Sequence, residues 1–299
     1  MQPKGDRMRL IREKAVPCFG ILSALCGVLI FSAAAFAAAP GQNPDRAATA
    51  ERNMQKFLGS TATPLSATDP DFATLRDRLM YGEIAEGGTL NDVQRSLITL
   101  VVLTSGQTLE NLNTHVEAAL RVGATPVEIK EALYQCAPYI GFPRTEAALS
   151  RVNEVFQARN IPLHVESRST VTEENRYDEG LKVQKSIFGD AIDKMHEATP
   201  ACQRPIMQNY LSAFCFGDVY TRKGLDLKTR ELLTFSIIAA LGGCESQVRS
   251  HVQGNAAVGN SKENLIDALA WSLPYIGFPR TLNALACVNA VLPEQRQAE

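Results

Sequence analysis

Basic charge is not in excess in this chain. Thirty lysines and arginines face 32 aspartates and glutamates, for a net charge of −2, and without a basic face a nucleic-acid partner is set aside. Histidine is scarce, at four residues. None has a second histidine or an acid four residues away on a helix face, so no metal site is read. Glycine-rich phosphate loops and the G-x-G-x-x-G fingerprint are missing too, and no organic cofactor is implied. The seven cysteines lie too far apart for a zinc cluster or a small disulfide scaffold. Strand-like alternation of apolar and polar residues is also lacking, which makes the class all-α. Disorder is excluded by the 45% hydrophobic content, and 299 residues suffice for two domains of ordinary size.

The amino terminus reads as a secretory signal peptide over residues 1–37. Lys4, Arg7, Arg9, Arg12 and Lys14 form a basic start, Cys18 to Phe36 is apolar, and "AFAAAPGQ" offers small residues at Ala35 and Ala37 for cleavage after Ala37. An uncleaved membrane anchor is the alternative, because the apolar run is nearly long enough to span a bilayer. Cleavage implies a periplasmic or secreted protein with no stable membrane association. It also removes Cys18 and Cys26 and leaves an odd five thiols.

The rest of the chain is a duplication. "PYIGFPRT" occurs at Pro138–Thr145 and again at Pro274–Thr281, and the same offset carries His115 onto His251 and Gly123 onto Gly259. Upstream, "YGEIAEGGTLNDVQRSLITL" lies over "FGDVYTRKGLDLKTRELLTF" with the offset shortened by one, matching Arg95 to Arg230 and Thr99 to Thr234. The copies span 51–156 and 177–292. The polar stretch between them, 157–176, lacks helical periodicity and reads as a linker.

Within each copy the pattern is helical. "DVQRSLITLVVL" and the segment holding "SIIAAL" read as buried helices, while Thr125, Pro126 and Glu128 announce a capped helix start that Ser261 repeats. The octet follows that helix. Its first proline should disrupt the helix, its glycine permits an unusual backbone angle, and its second proline can open the next helix. Most of the octet is therefore a packing corner, with Tyr139, Arg144, Tyr275 and Arg280 kept as site candidates. An arginine at a helix start gains nothing from the local dipole, so it should have a carboxylate to meet, from the protein or from a ligand. Spacings of three and four put Cys244, Gln247 and His251 on one helix face, and Thr108, Asn111 and His115 on another.

Together these segments resemble the carboxymuconolactone decarboxylase family, which also holds the alkylhydroperoxidase D type proteins. The likeness is carried by an arginine before an apolar helix, a histidine, "GATPVEIKEAL" and the A-x-Y-x-G-x-P corner, and it covers both copies. It implies two tandem alkylhydroperoxidase D-like helical units packed as a pseudo-twofold pair. It also implies assembly into a homo-oligomer, such as a trimer that rebuilds a six-unit ring. The peroxidase branch has CxxC before its histidine and a glutamate one helix earlier. Here Cys244, Glu231 and His251 remain, but Gln247 replaces the second cysteine, and the first copy has Ser96 at the glutamate position and Asn111 at the cysteine. A dithiol cycle therefore has no local pair.

The resemblance implies a small-molecule enzyme working by proton transfer. His251, with Glu231, Cys244 and His115, is the candidate catalytic set, since histidine near its ordinary pKa can protonate the carbanion that decarboxylation leaves. A lactone acid of that kind carries more than one carboxylate, and Arg230 with Arg280, Arg95 with Arg144, are expected to bind them unless they form internal ion pairs. Tyr139, Tyr275 and Gln247 complete the substrate-binding set. A redox protein using Cys244 and a non-catalytic ligand-binding module stay open as alternatives.

Overall fold

The computed structural model describes residues 45–294, so the signal-peptide reading lies outside the described residues. The chain is all-α, with no strand among the described residues. The first copy contributes α1 (Arg46–Leu58), α2 (Pro64–Thr68), α3 (Pro70–Met80), α4 (Asp92–Gly106), α5 (Leu112–Arg121), α6 (Pro126–Ile140) and α7 (Phe142–Ala158). The second contributes α8 (Arg176–Phe188), α9 (Ala191–Ala198), a π helix (Pro205–Tyr220), α10 (Leu227–Leu241), α11 (Glu245–Ala257) and α12 (Lys262–Val291).

At the centre α4 packs on α10, its repeat counterpart, while α6 lies over α10 and α12 over α4. Each copy thus lends helices to the other's core, as a pseudo-twofold pair requires. Sequence explains the choice of central helices. Residues 95–105 of α4 and 230–240 of α10 are buried without interruption, and a helix that is apolar on every side is stable only when covered on every side.

Local chemistry sets the helix starts. Thr125 Oγ1 accepts from the Glu128 amide at 3.2 Å, and Glu128 returns a carboxylate oxygen to the Thr125 amide at 2.7 Å. Ser261 and Asn264 repeat this box in the second copy, and each such cap contributes about 1 kcal/mol. The cross-copy contacts are also polar. Arg230 donates to Glu131 and to Gln135, both at 2.9 Å, and Arg95 lies 3.5 Å from Asp267. The two arginines and their acids are repeat equivalents, so the ion pair is made twice across the pseudo-twofold.

The octets form two near-identical corners. Gly141 has φ 84°, ψ 161° and Gly277 φ 74°, ψ 167°, a region closed to side chains bearing Cβ. Thr145 and Thr281 close each corner by donating to the glycine carbonyl at 3.0 and 2.9 Å. The helix break falls at the glycine and not at the first proline as the sequence suggested. Pro138 lies inside α6, which continues to Ile140, because a proline near a helix end forfeits only one hydrogen bond while the positive φ forces the turn.

Candidate functional site

The site is assembled around His251, one turn and a half into α11. Its Nδ1 is 2.9 Å from Glu231 Oε2 on α10, and the glutamate is fully buried. Glu231 Oε1 accepts from the Tyr220 hydroxyl at 2.8 Å. Tyr220 in turn lies 2.8 Å from Thr234 Oγ1 and 3.1 Å from the hydroxyl of Tyr139, which comes from the other copy. Gln135, also from the first copy, donates to Thr234 at 3.0 Å. Because Tyr220 spends its proton on Glu231, Thr234 and Tyr139 are its donors, and the hydrogen bonds run one way toward the carboxylate. Burial first, followed by Cys215 and Glu231 at Tyr139 and by Glu231 at Tyr220, raises both tyrosines well above the phenol range, so they stay protonated donors.

The π helix contributes to this arrangement. An i,i+5 winding, seen where the Thr221 amide bonds Phe216 O at 3.2 Å, stacks Leu211 over Phe216 and Cys215 over Tyr220. Gly254, one turn beyond His251, makes room for the acid. A Cβ there would lie 2.6 Å from Glu231 Oε2 and 3.0 Å from Ile187.

His251 lines a cavity of about 460 Å³. Its apolar wall includes Ile187, Phe188, Ile192, Met195, Leu211 and Phe216, and its polar groups are Tyr139, Gln184, Gln247, Ser250, Gln253, the Cys215 thiol and His251 itself. Phe188 and Tyr139 meet the imidazole edge-on, with centroids 5.5 and 5.9 Å away. No lysine, arginine, aspartate or glutamate is among these lining residues.

The equivalent place in the first copy is filled. The void beside His115 measures about 10 Å³ and is lined by Phe57, Tyr81, Ser96, Thr99, Trp271 and Tyr275, which leaves space for about one water. Trp271 stands where the other half has Gln135, Ser96 where it has Glu231, Ala85 where it has Tyr220, and Ala118 where it has Gly254. Without a carboxylate beside it, His115 is pushed down to about 4, first by burial and then by Arg76.

Among the residues singled out from sequence, the fold brings His251, Glu231, Gln247 and Tyr139 to one place, and Tyr275 with His115 to the other. The arginines go elsewhere. Arg230 and Arg95 are buried in the internal pairs already described, so both have their carboxylates within the chain. Arg144 and Arg280 are exposed, and no carboxylate among the described residues pairs with either, so the chain itself does not supply the carboxylate that the helix-start argument expects. Cys244 caps the start of α11, its thiol bonding to the Gly242 carbonyl at 3.4 Å, and it does not line the cavity. All five described cysteines are free.

Sequence reasoning passed over Tyr220, Cys215, Gln135 and Gly254. The signal for three of them was there in the differences between the copies, since Ala85, Trp271 and Ala118 hold the matching positions. Cys215 had no such signal, because its exposure to the cavity depends on the π winding.

Comparison with known proteins agrees with this architecture. The Carboxymuconolactone decarboxylase family matches the chain twice, over residues 70–154 and 205–290, together more than half of it. The chain is 28% identical over 125 residues to the 4-carboxymuconolactone decarboxylase of Acinetobacter baylyi, covering 42% of this chain and 92% of that protein. It is 29% identical over 122 residues to the nitrosuccinic acid decarboxylase of Metarhizium robertsii, covering 40% and 79% respectively.

Proposed function

The chain belongs to the carboxymuconolactone decarboxylase family, and from that membership we propose that it is an acid/base decarboxylase with one working site, at His251, acting on a small carboxylated lactone or carbonyl acid. The observation that carries this reading is the His251–Glu231 pair at 2.9 Å beside a cavity large enough for such a molecule. Glu231 engages Nδ1, which leaves Nε2 as the ring nitrogen for substrate. A buried carboxylate in that position fixes the tautomer and steadies the imidazolium.

The reaction needs no more than these groups. The bond between the substrate carbon and its carboxylate breaks, carbon dioxide departs, and the electron pair spreads into the conjugated carbonyl as an enolate. His251, protonated at Nε2, gives that proton to the carbon and ends neutral. The Tyr139 hydroxyl, held at the cavity wall, turns its proton from Tyr220 to the developing enolate oxygen. The first copy then serves the second by supplying Tyr139 and Gln135, and its own histidine lacks the acid, the space and the protonation needed at neutral pH.

We also propose that the protein works outside the cytoplasm, on the strength of the leader at residues 1–37. Amino-terminal sequencing of native material tests this, with a start near Ala38 expected and an intact Met1 opposing it. The catalytic reading is tested by presenting a panel of lactone acids and carbonyl acids in deuterated water and following carbon dioxide release and deuterium at the product carbon. Release that vanishes in His251→Ala supports it. Undiminished release in that variant removes His251 from the chemistry.

A further inference from the structure

The two arginines beside the Glu231 network are committed to partners within the chain, and this bears on what the cavity can hold. Arg230 is the arginine nearest to Glu231 in sequence, and its terminal nitrogens are taken by Gln135, Glu131 and the Arg222 carbonyl, each at 2.9 Å. Arg222 spends its own guanidinium on Glu131 at 2.8 Å. Among the described residues no lysine or arginine lines the cavity, whose wall is largely apolar. The carboxylate held behind His251, on Glu231, is negative.

From this we infer that the substrate carries a single carboxylate, the one it loses, on an otherwise apolar body, and that dicarboxylic acids are poor ligands of this site. The inference rests on the decarboxylase reading and narrows it. It also departs from the expectation that paired arginines receive several carboxylates.

Two physical arguments lead there. A carboxylate moved from water to an apolar wall loses hydration that only a cation or several donors can replace. His251 and Tyr139 can meet one such group, and the three glutamines and Ser250 offer neutral dipoles, so a second carboxylate has no counter-charge. The same wall helps the chemistry of the first. Carbon dioxide is apolar and the enolate spreads its charge, so a surface that hydrates a carboxylate poorly favours the transition state over the bound acid.

The test separates binding from turnover. Isothermal titration calorimetry of the purified chain would compare phenylpyruvate, one carboxylate on an aromatic body, with α-ketoglutarate, a dicarboxylate. Phenylpyruvate is expected to bind at least about ten-fold tighter, the loss expected when a charged group is left without its partner. Leu211→Arg, which introduces a guanidinium at the wall, should narrow or reverse that ratio, with circular dichroism checking that the helices persist. Neither probe can lose its carboxylate to leave an enolate, so the comparison reads binding alone, and a failed decarboxylase assay leaves the ligand class standing. Equal or tighter binding of α-ketoglutarate, or no saturable binding of phenylpyruvate, overturns the inference.

Discussion

Tyr139 of the first copy stands edge-on to His251 of the second, ring centroids 5.9 Å apart at 81°. Tyr275 returns the arrangement on His115 at 5.6 Å and 80°. Each corner octet therefore delivers its tyrosine to the histidine of the other copy, and the cavity beside His251 is walled by both.

Replacing His251 by alanine should lower turnover by about 10² to 10⁴, the usual contribution of a positioned acid or base. Far-ultraviolet circular dichroism should be unchanged, because the ring borders a cavity. A variant that loses its helices while the folded remainder keeps full specific activity would make His251 a packing residue.

Tyr139→Phe keeps the edge contact and removes the hydroxyl 3.1 Å from Tyr220. A fall in kcat of about ten-fold is expected for one lost donor. The reciprocal Tyr275→Phe should leave kcat unchanged. Equal effects from the two substitutions would argue for two working sites.

Gly254→Ala should displace the Glu231 carboxylate, since the added carbon would sit 2.6 Å from Oε2. Its signature is a lower kcat with little change in KM, as the histidine loses the partner that orients it. Adding Glu231→Ser, which copies the Ser96 and Ala118 pair of the first half, should recover thermal stability without recovering activity. Unaltered kinetics in Gly254→Ala would show that the acid has room to move.

His115 offers a pH test of stability. Its pKa falls from 6.5 in the unfolded chain to about 4 in the fold, so between those values the unfolded state binds a proton that the native state refuses. Stability is therefore present above the unfolded value and is lost as pH falls toward the folded one, by up to about 1.4 kcal/mol per pH unit. Urea denaturation of the wild type and His115→Gln at about pH 7 and about pH 5 should show a smaller acid penalty in the variant. Identical penalties would mean the ring is hydrated in the native state.

Thiol chemistry should be absent. Burial pushes the Cys215 thiol up to about 12, which denies it the thiolate form that attacks peroxide, while Gln247 stands in place of a second sulfur beside Cys244 and Thr108 with Asn111 leaves the first copy neither. Dithiol-driven peroxide consumption that disappears in Cys244→Ser or Cys215→Ser would contradict this and return the redox alternative.

Much of this protein could be read without coordinates. Unbroken apolar runs required α4 and α10 to be covered on all sides, the Thr125 and Ser261 boxes marked helix starts, and the identical octets required two similar corners, because each of these is a local or periodic property. Glu231 and His251 were legible as a pair through the family spacing. The tertiary structure alone decided the fate of the charges and the walls. Whether Arg230 faces a ligand or Glu131 depends on which helix of the other copy crosses it, a contact 99 positions away in sequence. The exchange of Tyr139 and Tyr275 likewise follows from the packing of α6 and α12 on the opposite halves. Ser96, Trp271 and Ala118 become intelligible only in that packing: the tryptophan donates to Thr99 as Gln135 does to Thr234 and walls the small void beside His115, and the alanine methyl is tolerated because the residue facing it is a serine rather than a glutamate.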